Sequence, residues 1–384
     1  MSQIASGQSP RISNTICILL LVFAGIAAAQ AGPWEIGIVD GSLGGSFSSL
    51  RIDKYGNAHV ASAGDAEATL QYSFWDHNLK KWFTTTLGRT SGFCSLALDS
   101  RQRPHISYVE YGASKMYHTF WDGSSWQKQP IQIPTRHIAF YTSISLDPND
   151  NPSISFYDYL GVVDDQYRRL RVVKWNGGVW EVQTVDSEPG SGKFNSIAID
   201  SVGRSHVAYC NVDPERASLR YARLGSTGWS HEILESGYSK SWQAVMLIVD
   251  KYDVPHMAYS DVQNGIVKYA TQVNGKWQIQ SVDSVGAVAY PDRNGLALDQ
   301  DGTPYISYYD AKRGELKLAH RKGQVWLTEV VDGGFAGFTS SLQIHERTIW
   351  LTYSAGPGGG LKFARRLIES PDSEARPQTP AIPK

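Results

Sequence analysis

Along most of this chain apolar residues occupy every second position in short runs, and each run is bounded by Gly, Asn, Asp or Pro. A period of two is the pattern of a strand with one buried face. Leu50 and Ile52, Leu96 and Leu98, and Ile197 and Ile199 each line one apolar face, with Ser or Ala often between them. The clearest runs end in an apolar-x-apolar-Asp tetrad: LRID at Asp53, LALD at Asp99, ISLD at Asp147, IAID at Asp200, LIVD at Asp250 and LALD at Asp299. A seventh, LQIH, ends at His345, and neighbouring tetrads lie 46 to 53 residues apart. After each tetrad come a turn such as KYGN, SVGR or QDGT, a second strand (AHVASA, PHISYVE, PYISYYD) and a third (TLQYSF, RLRVVKW, ELKLAH). A turn containing Gly or Asn then leads to a Trp (Trp82, Trp126, Trp180, Trp229, Trp277, Trp326) that opens a fourth strand ending in QTVD, QSVD or EVVD.

A repeat of this length, with four short strands per unit, is the signature of a propeller blade. The tetrad strand is predicted innermost, where small alternate residues let blades crowd together. Seven inner strands but only six outer ones follow in order, because the chain leaves the repeat after LKFARR. Residues 34–40 (WEIGIVD) match WEVQTVD and WQIQSVD and are predicted to supply the missing strand. The expected fold is therefore all-β: a seven-bladed β-propeller of four-stranded antiparallel blades over residues 32–370. Its N-terminal strand pairs into the last blade, so that no edge stays open.

The unit S-x-I-A-L-D-x-x-G-x-P-H-I-S-Y-Y-D … L-K-Y-A … G-x-W-x-x-x-x-V-D resembles the repeat of exported bacterial β-propellers of the sialidase and lectin-like kind. The resemblance spans nearly the whole chain and implies the fold; such propellers include binding modules, lyases and hydrolases. The sialidase Asp-box, Ser-x-Asp-x-Gly-x-x-Trp, is not intact. WDGSSW (121–126), WNGGVW (175–180) and VNGKW (273–277) keep the Gly and the closing Trp without the Ser-x-Asp lead. That departure argues against sialidase activity.

Charge and targeting narrow the setting. Lys plus Arg number 36 against 37 Asp plus Glu, so no global field favours a nucleic acid. Arg11 precedes the apolar run ICILLLVFAGIAAA (16–29), too short to span a bilayer comfortably, and small residues follow it. Residues 1–31 therefore read as a signal peptide, and the product as secreted or periplasmic, with no membrane span once the signal is removed. Beyond it only Cys94 and Cys210 remain. A blade lies between them, so both are expected as free thiols, and no metal-ligand spacing is present. The Pro-rich residues 371–384 read as a disordered tail.

Candidate chemistry lies at repeated positions. His59, His105, His206 and His256 share one place in the second strand; spread round the ring, they cannot meet on one metal and are expected to be buried and hydrogen-bonded. Glu110, Asp158, Asn211, Asp261 and Asp310 share the end of that strand, on the face that carries the loops between blades. Turn capping is their expected role, with one or two also touching ligand. Phe47, Phe93, Tyr141 and Phe194 precede the inner strand at one offset, with Trp242, Tyr290 and Phe338 nearby in their blades. They are placed to pack against the next blade or to stack on a sugar.

Blade 3 departs most from the repeat. The loop PTRHIAFYT (134–142) brings Arg136, His137 and Tyr141, and YLGVVDDQYRR (159–169) is longer than its counterparts. Extra loop length on a rigid scaffold is where function tends to sit. The favoured reading is a monomeric binding module without cofactor or metal, taking a glycan or another extracellular or cell-surface ligand. Its expected ligand-binding residues are Arg136, Tyr141, Asp158, Glu110, Trp242, Asp261 and Asp310. One alternative is a glycan-active enzyme, a polysaccharide lyase or glycoside hydrolase, using His137, Tyr141, Arg136 and Asp158. The other is a protein-interaction platform of the cell envelope.

Overall fold

The alternating runs fold as the period of two requires. In a computed structural model the described residues are 32–39, 45–64, 68–112, 115–133, 138–159, 168–237, 242–286, 294–356 and 359–368. They form seven four-stranded antiparallel sheets, with no α-helix among them. Blade 4 is representative: inner strand Ser191–Ile199, second strand Ser205–Asn211, third strand Ser218–Gly225 and outer strand Gly228–Ser236, hydrogen-bonded in that order. Blade 1 spans 46–89, blade 2 94–131, blade 3 138–186, blade 5 242–284 and blade 6 295–332. The leader expected over 1–31 and the tail over 371–384 lie outside the described residues.

The apolar face of each blade is buried against the next blade. Phe194, Leu219 and Tyr221 of blade 4 pack with Leu247, Met257 and Tyr259 of blade 5 in one such layer. The small residues near the axis do more than save space. Ser49, Ser95, Ser143, Ser196 and Ser341 each accept, through Oγ, the backbone N–H of Leu96, Ile144, Ile197, Leu247 and Leu50 on the adjoining inner strand, at 3.0–3.3 Å. Each bond satisfies a buried hydroxyl and a buried amide across a seam.

The last blade holds Ser340–His345, Thr348–Ser354 and Leu361–Leu367, and its outer strand is Glu35–Ile38 from the start of the fold. The register is antiparallel, with Glu35 opposite Arg365 and Ile38 opposite Lys362. Arg365 makes a two-pronged ion pair with Glu35 at 2.6 and 2.7 Å, and Arg366 stacks on Trp34 at 4.3 Å. Gly37 is required by contact, because a Cβ there would stand 2.6 Å from the Phe363 ring. The predicted closure is what the chain adopts.

On the face opposite the loops, the tetrad aspartates order the turns. Oδ1 of Asp53, Asp99, Asp147, Asp200, Asp250 and Asp299 accepts the N–H groups two and four residues ahead. Oδ2 reaches the repeated histidine: His59 at 3.4 Å, His206 at 3.2 Å and His256 at 3.3 Å. The other ring nitrogen of each bonds Tyr72, Tyr221 or Tyr269 at 2.5–2.7 Å. In blade 2 His118 takes the tyrosine's place, 3.0 Å from His105. These tyrosines and His118 meet the outer-strand Trp126, Trp277, Trp326 and Trp180 of the following blade edge-on, at 4.8–5.5 Å between centroids. The histidines are thus structural links in a relay of Asp, His, Tyr and Trp. Cys94 and Cys210 are buried and are not joined in a disulfide, as expected.

Candidate functional site

The loop-face mouth of the axial channel carries a bulge at the start of four of the seven inner strands. Pairing skips between Ser46 and Ser49, Phe140 and Ser143, Lys193 and Ser196, and Gln243 and Met246. The bulged residues Phe47, Tyr141, Phe194 and Ala244 take φ values of 50–54°. For bulky aromatics this left-handed conformation costs on the order of 1–3 kcal/mol each, and such strain concentrates at functional sites. It aims the rings at one another across the seams. Phe47 lies 4.6 Å from Phe93, Phe93 4.4 Å from Tyr141, and Tyr141 4.9 Å from Phe194. Phe140 adds an edge contact to Phe93 at 6.0 Å.

The result is a crescent of aromatics from blades 1 to 4 around a cavity of about 40 Å³ lined also by Cys94, Thr142, Asn195, Ser196 and Val245. At the same offset blades 5 and 7 carry Ala244 and Thr339. Thr142 Oγ1 is buried in this lining with no hydrogen-bond partner among the described residues. Of the two roles expected of the shared aromatics, packing against the next blade is what these rings do, and they also line the cavity.

The strand-end polar residues sit on the same face, engaged by neighbours. Asp158 is buried and ion-paired with Arg171 at 2.7 Å. Asp261 accepts from Asn264 N and pairs with Lys268 at 3.0 Å. Asp310 accepts from Lys312 N, with Lys317 3.5 Å away. Asn211 accepts from Asp213 N, and the part-exposed Glu110 pairs with Lys128 at 2.8 Å. Turn capping is therefore what Asn211, Asp261 and Asp310 do. Trp242 opens the inner strand of blade 5 opposite Asp261. Arg136, His137, Tyr290 and most of the long blade 3 loop (160–167) lie outside the described residues.

A recurrent cluster at the seams was not anticipated. The acid ending one blade's outer strand accepts a tyrosine hydroxyl and a cation from the next blade. Asp186 takes Tyr209 at 2.8 Å and Arg220 at 3.0 Å, and Glu235 takes Tyr259 at 2.8 Å and Lys268 at 2.7 Å. Asp283 takes Tyr308 at 2.7 Å and pairs with Lys317; Asp332 takes Tyr353 at 2.8 Å and Lys362 at 2.9 Å. The recurring final Asp of QTVD, QSVD and EVVD carried that signal. Burial raises the Asp186 and Asp283 pKa, but hydrogen bonds outweigh it, from Glu188 N, Tyr209 and Ser191 at Asp186 and from Lys317 and Tyr308 at Asp283, and hold both below the ordinary value. These clusters lie at the seams between blades 3 and 7, while the aromatic crescent belongs to blades 1 to 4.

No protein-family model matches the sequence, and no curated protein matches it. Solved structures do resemble it in fold. A Hadza microbial sialidase, Hz136, superposes with a TM-score of 0.50 at 12% identity, covering 79% of this chain and 74% of that one. The polysaccharide lyase Uly1 gives 0.53 at 10% identity, covering 86% and 90%. The Penicillium chrysogenum alpha-L-arabinanase, solved with arabinobiose, gives 0.52 at 9% identity, covering 88% and 98%. At such identities likeness carries architecture alone, and by architecture this chain is a seven-bladed β-propeller, similar in fold to these three proteins.

Proposed function

We propose that this chain is an exported propeller that binds a glycan at the loop-face mouth of its channel, through the aromatic crescent of Phe47, Phe93, Tyr141 and Phe194. The observation that carries the reading is the set of aromatics gathered from blades 1 to 4, three of which, Phe47, Tyr141 and Phe194, hold left-handed backbone positions. Flat apolar rings beside buried hydroxyl and amide groups suit a sugar, which offers C–H faces and hydroxyl edges together. The named proteins of similar fold act on or bind saccharides by their own descriptions, which is consistent with this reading. Binding is preferred to catalysis because Asp158, the described carboxylate of the catalytic set, is buried and engaged by Arg171.

The test is a glycan array probed with the wild type, Phe93→Leu and Tyr141→Leu, substitutions that keep apolar volume and remove the ring. Loss of a stacking contact of about 1–3 kcal/mol weakens binding by roughly tenfold to a hundredfold. Binding unchanged in both variants would move the ligand off the crescent. Release of shortened saccharide by the wild type would replace this reading with the enzymatic one.

A further inference from the structure

The seam clusters have one informative departure. Register sets the place of the acid: Asp186 lies opposite Leu170, Glu235 opposite Leu219, Asp283 opposite Val267 and Asp332 opposite Leu316. In blade 1 the residue in that place, opposite Leu70, is Gly88. Blade 2 nevertheless keeps the tyrosine. Tyr108 is buried, and its hydroxyl lies 4.0 Å from where a Cβ on Gly88 would stand. The next seam drops both members: Phe156 replaces the tyrosine, and Arg171 is held by Asp158. Among the described residues, the seam between blades 1 and 2 alone keeps the hydroxyl and lacks the acid.

Cationic groups flank this gap. Lys128 Nζ lies 5.7 Å from the Tyr108 ring centroid and pairs with one carboxylate, Glu110. Lys128 comes from the outer strand, because Tyr117 stands where the other seams carry their third-strand cation; in blade 5 that cation, Lys268, holds two carboxylates, Glu235 at 2.7 Å and Asp261 at 3.0 Å. Arg89, exposed and next to Gly88, stacks on Tyr111 at 4.7 Å. Burial keeps the Tyr108 hydroxyl protonated and able to donate.

We infer that this seam is a carboxylate subsite: an acidic ligand supplies the carboxylate that four other seams carry within the chain. The ligand carboxylate would accept from Tyr108 Oη and Lys128 Nζ, with Arg89 at the rim. This deepens the glycan reading and rests on it for the rest of the ligand, which becomes a uronate-containing saccharide. Phe47 and Phe93 of the crescent come from the same two blades, so one chain of sugars can meet both features.

The experiment is calorimetric titration with an oligogalacturonate and with its methyl ester, which keeps the backbone and removes the charge. The wild type is expected to bind the acid form at least about tenfold more tightly, the scale of one charge-assisted hydrogen bond. Tyr108→Phe, tolerated because Phe156 fills the same repeat position in blade 3, and Lys128→Met should each abolish that preference and leave affinity for the ester unchanged. Equal affinity for both forms, or a preference that survives both variants, overturns the subsite; if Phe93→Leu still weakens both forms, the glycan reading stands. If the wild type binds neither form, the glycan reading falls for this class of saccharide, and D-glucuronate tests the seam alone. A rise in Tm that Tyr108→Phe abolishes then supports the subsite, and no rise overturns it as well.

Discussion

Deleting residues 32–39 is expected to leave the last blade with three strands and to make the protein aggregate. The deletion exposes the edge of Leu361–Leu367, a ready template for pairing with other chains. It removes the fully buried Val39, which packs with Leu50, Trp350, Leu361 and Phe363 where the ring closes. Burial of that side chain contributes about 1.5–3 kcal/mol, and each ladder hydrogen bond about 1 kcal/mol. The two-pronged ion pair of Arg365 with Glu35 goes too. Gly37→Val should act in the same direction with every other residue present, since its Cβ would meet Phe363 at 2.6 Å. Size-exclusion chromatography and thermal melting check both variants. Unchanged elution and Tm would mean that the closing strand does not hold the ring.

The second large effect is expected at Asp200. This buried carboxylate accepts from Val202 N, Arg204 N, Arg204 Nε and His206 Nε2. Asp200→Ala opens the turn, strips a buried histidine of its partner, and should cost about 3 kcal/mol near neutral pH. Burial tends to raise the Asp200 pKa, but the bonds from Arg204 and His206 outweigh it and bring it down from 3.8 to about 2. A group whose folded pKa is depressed stabilises fully above its unfolded pKa and loses that contribution as pH falls through the folded one. The gap between wild type and variant should therefore narrow as pH falls from 3.8 toward 2. His206 adds an earlier loss of stability in the wild type. Burial lowers its pKa below 6.5, so it takes up a proton on unfolding, and stability declines as pH drops below that value. Urea midpoints measured between neutral pH and pH 2.5 follow both trends. A variant as stable as wild type, or a gap that persists unchanged at the lowest pH, would contradict this account of the turn.

The fold was legible because propeller blades repeat locally. Each tetrad, each second strand and each outer-strand Trp is defined by neighbours within about fifty residues, and residues 34–40 matched an outer strand by their own pattern. The histidines were legible for the same reason, since His206 finds Asp200 and Tyr221 in its own blade. The site was less so. Tyr209 and Arg220 meet Asp186 across a seam, and the recurrence of acids and cations does not show that they belong to adjacent blades. The carboxylates expected to face a ligand, Asp158, Asp261 and Asp310, are each buried beside a cation from the third strand. Alternation alone does not reveal that pairing. The crescent was visible as a shared offset, but only the bulge and its positive φ turn Phe47, Tyr141 and Phe194 toward one another.

The central claim is that ligand enters at this crescent. Its most direct test is a crystal structure of the protein soaked with the oligosaccharide that binds best on the array. The account predicts a sugar ring stacked on Phe93 or Tyr141 over the channel mouth, with Thr142 Oγ1 within reach of it or of a water it holds. Saccharide density on the opposite face, or along the outer strands, with the crescent unoccupied at saturating ligand would contradict it.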